Sequence, residues 1–250
     1  MPRPIAHDTS GRFENKYRIL LQAYLALRNA ITPHMRTDRY TRLAGRDGYF
    51  VRSLYFETLD NAIYTQKMAG DCDRVKYRLR SYTADPSCSP PIRVEMKVRR
   101  GESLSKYHTF VDYALYKDFI ARRTWGENHD VVLEEFARGV YLSCLQPFVL
   151  IDYTREGYES RYGDGVRLTF DHAVRSTQAK CLFPEPKPFF RVHHSREVVL
   201  EIKYKLAPPA WLREIVQGHG LRLVANSKFT QGIEAGRRER CNADGILIVR

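Results

Sequence analysis

Seven stretches of the chain alternate residue by residue in the manner of β-strands: 12–19, 49–57, 74–82, 92–99, 148–154, 166–171 and 198–206. The polar half of the alternation is unusual because so much of it is ionised. Successive side chains on a strand point to opposite faces, so Arg74, Lys76, Arg78 and Arg80 share one face and Val75, Tyr77 and Leu79 the other. The next strand sets Arg93, Glu95, Lys97 and Arg99 opposite Val94, Met96 and Val98. Arg12, Glu14, Lys16 and Arg18 form a third such face, Arg167, Thr169 and Asp171 a fourth, and Glu201, Lys203 and Lys205 a fifth.

A solvated antiparallel sheet also shows one polar face per strand. An open sheet, however, gains nothing from cations on neighbouring strands, since like charges about 4.5–5.5 Å apart oppose the pairing. Closing the sheet into a barrel would gather all five faces around one channel, where a polyanion among them would relieve the repulsion. Helical patterns at 21–31, 61–69, 113–123, 131–144, 210–217 and 228–236 interrupt the strands singly, and Pro86, Pro90, Pro91, Pro184, Pro186 and Pro188 mark loops. The order predicts an α+β fold in which an antiparallel β barrel with a basic lumen carries helices packed on its outside, as one domain over residues 1–250.

The charge balance agrees. Forty-one Lys and Arg against 29 Asp and Glu leave a formal net charge of +12, which favours phosphate-rich partners. Nucleic acid is not expected, because Tyr77 and Phe170, the aromatics best suited to stacking on bases, fall on the apolar sides of their strands. Cys72, Cys88, Cys144, Cys181 and Cys241 are odd in number and contain no C-x-x-C spacing, which fits reduced thiols in a cytoplasmic protein. Met1 to Ser10 lacks a signal-peptide core, and no apolar run approaches the roughly 20 residues of a membrane span. His193 and His194 have no metal-like partner spacing and read as loop residues.

Glu14, Glu95 and Glu201 each stand two residues before a lysine, which puts carboxylate and ammonium on the same strand face. Two readings stay open. The carboxylates pair with neighbouring cations, or they hold Mg²⁺ or Mn²⁺ through oxygen beside a phosphate while the lysines neutralise phosphate oxygens.

The succession Arg12-Phe13-Glu14-Asn15-Lys16-Tyr17, Ser53-Leu54-Tyr55-Phe56-Glu57-Thr58, Arg78-Leu79-Arg80-Ser81-Tyr82, Val94-Glu95-Met96-Lys97, Arg167-Leu168-Thr169-Phe170-Asp171, Leu200-Glu201-Ile202-Lys203 and Ser227-Lys228-Phe229 resembles the catalytic domain of the vacuolar transporter chaperone (VTC) polyphosphate polymerases. That domain belongs to the triphosphate tunnel metalloenzyme, or CYTH-like, superfamily, and the resemblance runs from about residue 12 to 236. It implies an antiparallel tunnel barrel that takes ATP or another nucleoside triphosphate. The enzyme would be a divalent-metal-dependent phosphotransferase that moves the γ-phosphate to inorganic polyphosphate with Mn²⁺ or Mg²⁺. The alternatives are a triphosphate or polyphosphate hydrolase of the same superfamily and a noncatalytic polyphosphate-binding module.

By matching position, the resemblance makes Lys16, Lys67, Arg78, Arg80, Lys97, Lys106, Arg155, Arg167 and Lys228 phosphate contacts and Glu201 a metal ligand. The strand faces add Lys76 and Lys203, the Ser-Lys pair adds Ser227, and Glu14 and Glu95 join Glu201 as metal candidates. Among these, Lys16, Arg78, Arg80, Lys97, Arg167 and Lys228 are the expected catalytic set. The chain departs from the family at Arg12, where the tunnel motif has its first glutamate, at Lys67, where arginine is usual, and at Ala225, where a lysine is expected. Any export of polymer through a membrane would need a membrane-protein partner.

Overall fold

The computed structural model describes residues 7–8, 12–45, 48–127 and 130–243. Among them the strands are β1 (His7–Asp8), β2 (Arg12–Leu20), β3 (Met35–Thr37), β4 (Tyr49–Glu57), β5 (Arg74–Ser81), β6 (Ile92–Arg100), β7 (Ser103–Val111), β8 (Gln146–Ser160), β9 (Arg167–Gln178), β10 (Arg191–Val192) and β11 (Glu197–Lys205). The helices are α1 (Leu21–Ile31), α2 (Arg39–Ala44), α3 (Ala62–Ala69), α4 (Tyr113–Arg122), α5 (Val131–Leu142), α6 (Ala210–Gly218) and α7 (Lys228–Ala243). Strands β1, β3, β7 and β10 and helix α2 were not expected, and β8 and β9 run well beyond the segments read at 148–154 and 166–171.

All strand pairs are antiparallel, in the order β1-β7-β6-β5-β4-β8-β9-β11-β2, with β3 added to β8 and β10 to β9. The sheet is curled into a barrel. Glu14 and Lys16 from β2 and Lys106 and His108 from β7, which lie at or next to opposite ends of that order, line one cavity. Lys97 Nζ on β6 reaches to 3.8 Å of Glu14 Oε2 on β2. Along β2, Val224 N–H donates to the Lys16 carbonyl at 2.9 Å and Leu223 bridges to Tyr17, which ties the segment before α7 to this strand.

On β5, β6, β2 and β11 alternation sets a charged inside against an apolar outside, so most of the core lies around the barrel rather than within it. On one side α4 and α5 set Phe119, Leu133 and Phe136 against Leu54, Phe56, Leu79 and Val94. Gly139 brings α5 down on Tyr77, whose hydroxyl lies 2.2 Å from where a Cβ would stand. A second core joins α1 and α6 to Tyr17, Leu168, Phe170, Leu200 and Ile202. Burying each such side chain contributes about 1.5–3 kcal/mol. Asp112 starts α4 by accepting the Leu115 N–H at 2.7 Å, and Asp130 starts α5 by accepting the Val132 N–H at 2.8 Å, which satisfies amides that open each helix.

Helix α7 departs from the expected outside packing. Ser53 and Tyr55 turn inward, and their ladder partners Ile151 and Val149 therefore do too. Gly232 of α7 sits so close to this pair that a Cβ would come within 2.8 Å of Val149 Cγ2. With Phe229 and Ile233 buried at 2% and 1% exposure, α7 packs into one end of the barrel and presents its first turn to the lumen. No helix among the described residues is long and apolar enough to cross a membrane.

Candidate functional site

The barrel encloses a cavity of about 860 Å³, lined by thirteen Lys and Arg side chains against four glutamates. That excess is what the strand register imposes. Lys76 stands opposite Lys97, Lys97 opposite Lys106, and Arg80 opposite Arg93, so cations meet cations across three strands. Such pairs oppose the sheet unless anions intervene.

Glu95 intervenes at the centre. Only 1% exposed, it lies opposite Arg78 in the ladder and takes Arg78 Nε at 2.6 Å and Lys106 Nζ at 2.6 Å, with Arg93 Nε at 3.5 Å and Arg80 Nε at 3.8 Å. Burial alone would raise its pKa, but Arg78, Arg80 and Lys106 hold it well below the usual carboxylate range. Neutral groups fix the two arginines further: Arg80 Nε donates to Ser53 Oγ at 3.0 Å and Arg78 donates to the Tyr55 hydroxyl at 3.0 Å.

A second cluster joins β2 to β11, where Glu201 is the ladder partner of Lys16 and Lys203 of Glu14. Lys16 Nζ lies 2.8 Å from Glu14 and 3.7 Å from Glu201, while Lys203 Nζ lies 2.5 Å from Glu201 and 3.8 Å from Glu14. Burial works to raise the pKa of Glu201, and Lys203, Lys16, Arg155 and Lys228 outweigh it and keep the carboxylate ionised. Glu14 is likewise lowered, against burial and the charge of Glu201, by Lys16, Lys97 and Lys203.

Asp171 organises a third cluster from beneath. Fully buried on β9, it accepts both Arg155 Nε at 2.6 Å and Arg155 Nη2 at 2.8 Å, and it also binds Lys228 from α7. Burial notwithstanding, Arg155 and Lys228 hold its pKa at about 2.

Burial and neighbouring cations hold two lysines well below the ordinary lysine range. Lys76 is pushed down to about 7, first by burial and then by Lys67, Lys97, Lys16 and Arg74. Lys106 is also pushed down to about 7, because burial, Arg78 and Arg93 outweigh its contact with Glu95.

The structure brings fourteen of the fifteen expected site residues to this one lumen; Lys67 is the exception. Lys67 stands in the last turn of α3 and bears on the lumen through its charge, which depresses Lys76. Arg18, Arg74 and Arg99, placed by parity on the same faces, lie off the lumen: Arg18 pairs with Glu197, and Arg74 and Arg99 donate to the carbonyls of Asp71 and Gly101 beside the β5–β6 end. The strands are longer than the cavity, and the parity rule does not say where the cavity stops. The side chain of Arg12 lies outside the described residues. His193, read as a loop residue, lies one residue past the short strand β10, where burial lowers its pKa to about 4.

Sequence reasoning gave no role to Ser53, Tyr55 and Tyr153, which steady the arginines, to Asp171, or to Asn226. A signal was present for Ser53, Tyr55 and Asp171, which stand in quoted motifs, and weak for Tyr153 and Asn226. Among the described residues no three acidic, His or Cys groups cluster as a cation cage. Glu14 and Glu201 nevertheless share two lysines, and their hard oxygen donors suit Mg²⁺ or Mn²⁺ if phosphate or water completes the shell. Glu95, with four cations on it, is the carboxylate least suited to that role.

The sequence matches the VTC domain family over residues 11–236. No curated protein sequence matches the chain. Two solved structures similar to it are each described as a "putative adenylate cyclase". The one from Bacillus halodurans is 13% identical, with 87% of this chain and 95% of that chain covered and a TM-score of 0.51. The one from Vibrio parahaemolyticus is 10% identical, covers 88% and 96%, and has a TM-score of 0.43. At such identity the first likeness bears on the fold alone, and it agrees with the tunnel barrel described above.

Proposed function

Because the chain belongs to the VTC domain family, we propose that it is a polyphosphate polymerase, which transfers the γ-phosphate of ATP to the end of an inorganic polyphosphate chain held in the lumen. The observation that carries this reading is the excess of thirteen cations over four glutamates within one enclosed space. Neither a small neutral substrate nor a cation would stabilise such a lining.

Phosphoryl transfer asks a protein mainly for position and charge, since the transferring group passes through a loose transition state. Arg78 and Arg80, anchored by Glu95, Tyr55 and Ser53, and Arg155, anchored by Asp171, present guanidinium forks whose direction is set before substrate enters. At an effective dielectric near 20, a close cation–phosphate pair is worth on the order of 4 kcal/mol before desolvation. The attacking atom is an oxygen of the terminal phosphate of the chain, already ionised, so no general base is required. Its new bond to the γ-phosphorus forms as the bond from that phosphorus to the β–γ bridging oxygen breaks, and ADP leaves with the electron pair.

Glu201 and Glu14 would hold a divalent ion, Mn²⁺ or Mg²⁺, which when bound supplies further neutralisation of phosphate oxygens. Lys16 and Lys203, now occupied with those carboxylates, would then turn their charge to phosphate as well.

Purified protein incubated with ATP and Mn²⁺ should yield ADP and a nuclease-resistant polymer. Orthophosphate without polymer would identify a hydrolase. Tight tripolyphosphate binding with no turnover would identify a binding module.

A further inference from the structure

We propose that Asn226 is a phosphate-contacting residue, whose side-chain amide and the backbone amides opening α7 form an uncharged subsite for one phosphate group where α7 meets the lumen. The inference rests on the phosphate-binding reading above and adds to it a residue that carries no charge.

Asn226 is only 6% exposed, yet neither its Nδ2 nor its Oδ1 finds a partner among the described residues, and it lines the cavity. Nine in ten or more buried polar groups are paired, so an amide kept unpaired in a lumen calls for a reason. The reason lies next to it. Ser227 caps the sixteen-residue helix α7: its Oγ lies 3.4 Å from the Thr230 N–H and its carbonyl accepts the Gln231 N–H at 3.0 Å. The N–H groups of Lys228 and Phe229 then have no acceptor within the helix, and they form its positive end. Asn226, Ser227, Lys228 and Phe229 all face the lumen.

An amide is both donor and acceptor, and this setting offers work for each. Nδ2, with the first-turn amides, would donate to phosphate oxygens in the manner of helix N-termini that bind anions. Oδ1 would accept from a lysine ammonium drawn to the same phosphate; Lys76, whose Nζ is already 3.4 Å from Ser227 Oγ, reaches this segment. Lys228 is held back on Asp171, so its charge supports the subsite from the side.

The test uses the full chain with inorganic tripolyphosphate as the probe, and ATP in a parallel arm to separate free from nucleotide-borne phosphate. Asn226→Leu removes the amide at similar volume. Its tripolyphosphate Kd should rise fivefold to tenfold, while the ligand-free protein melts at or a few degrees above the wild-type temperature, because an unpaired polar group has gone. Unchanged Kd with a lower melting temperature would make Asn226 a structural residue and overturn the proposal. If both affinity and melting temperature fall, or the variant fails to fold, Asn226→Asp decides. It keeps the shape and sets a negative charge against the phosphate, so Kd should rise tenfold or more, and unchanged binding overturns the proposal. Wild-type protein that binds no tripolyphosphate would remove the phosphate reading and this subsite together. Binding that Arg80→Ala weakens and Asn226→Leu does not would remove the subsite alone.

Discussion

Glu95 and Glu201 each precede a lysine by two positions, but their surroundings assign them different work. Four cations converge on Glu95, so Glu95→Gln leaves Arg78, Arg80, Arg93 and Lys106 crowded without their anion. Removing one partner of a buried ion network typically costs about 3–5 kcal/mol. Urea unfolding of the ligand-free variant should show a loss of that order, and a loss under about 1 kcal/mol would mean the cluster is not the support it looks to be. Glu201 has two lysines and an acidic neighbour in Glu14, which is the arrangement that leaves room for a divalent ion. Glu201→Gln should therefore abolish turnover while tripolyphosphate affinity is kept or slightly raised. Arg80→Ala should weaken both, since on the proposed reading its charge would meet phosphate in ground and transition states alike. Wild-type activity of Glu201→Gln across a Mn²⁺ titration would reduce Glu201 to an ion-pair partner.

At the scale of elements, α7 decides which end of the barrel carries the subsite residues. Its approach depends on Gly232, whose added Cβ would meet Val149 at 2.8 Å and Ile151 at 3.4 Å. Gly232→Ala should push the helix from β8 and cost about 1–3 kcal/mol by overpacking. Because Ser227 and Lys228 ride on the same helix, tripolyphosphate affinity should fall with the melting temperature; stability lost with affinity intact would show that the first turn holds its place independently. That packing was not legible in the sequence, since Phe229 and Ile233 suit a helix on the outside of a barrel equally well. The charged faces of β5 and β6 were legible, because their alternation is unbroken. Strand β7 was not: Ser103, Ser105, Lys106, His108 and Thr109 blur its two faces. The second half of β8 was hidden by Gly157, which reads as a breaker but marks where Asp38, the cap of α2, presses on the strand, 2.2 Å from a would-be Cβ. A register shift between Asp152 and Thr154 further spoils simple parity. Lys106 and Arg155 were reached by matching position to the family and not through the alternation.

For the whole molecule, the lumen makes the empty protein carry an electrostatic cost that its ligand would remove. Lys76 and Lys106 fall from the ordinary 10.5 to about 7 on folding, so between pH 7 and 10.5 the unfolded chain binds more protons at these sites than the folded one. Their contribution therefore makes the ligand-free protein gain stability as pH rises through that window, with the full penalty present below about pH 7. A polyphosphate in the lumen supplies the missing anions and holds both lysines protonated. Binding at pH 8 should then take up protons, visible in calorimetry as heats that differ between buffers of unlike ionisation enthalpy, and affinity should decline from pH 6.5 to 9. The same logic separates the lumen from the general surface charge of +12. Single-stranded RNA can meet exposed cations through its phosphates, but its bases and riboses make it a far bulkier guest for a cavity of about 860 Å³ lined by arginine and lysine. A ligand that binds only the native state raises stability by mass action. At equal phosphate concentration, polyphosphate should raise the melting temperature more than single-stranded RNA does, and part of that shift should persist at a salt concentration that cancels the effect of RNA, because charges inside the barrel are screened less than charges outside it. Equal shifts that vanish together as salt is added would place the binding on the surface and leave the lumen without a ligand.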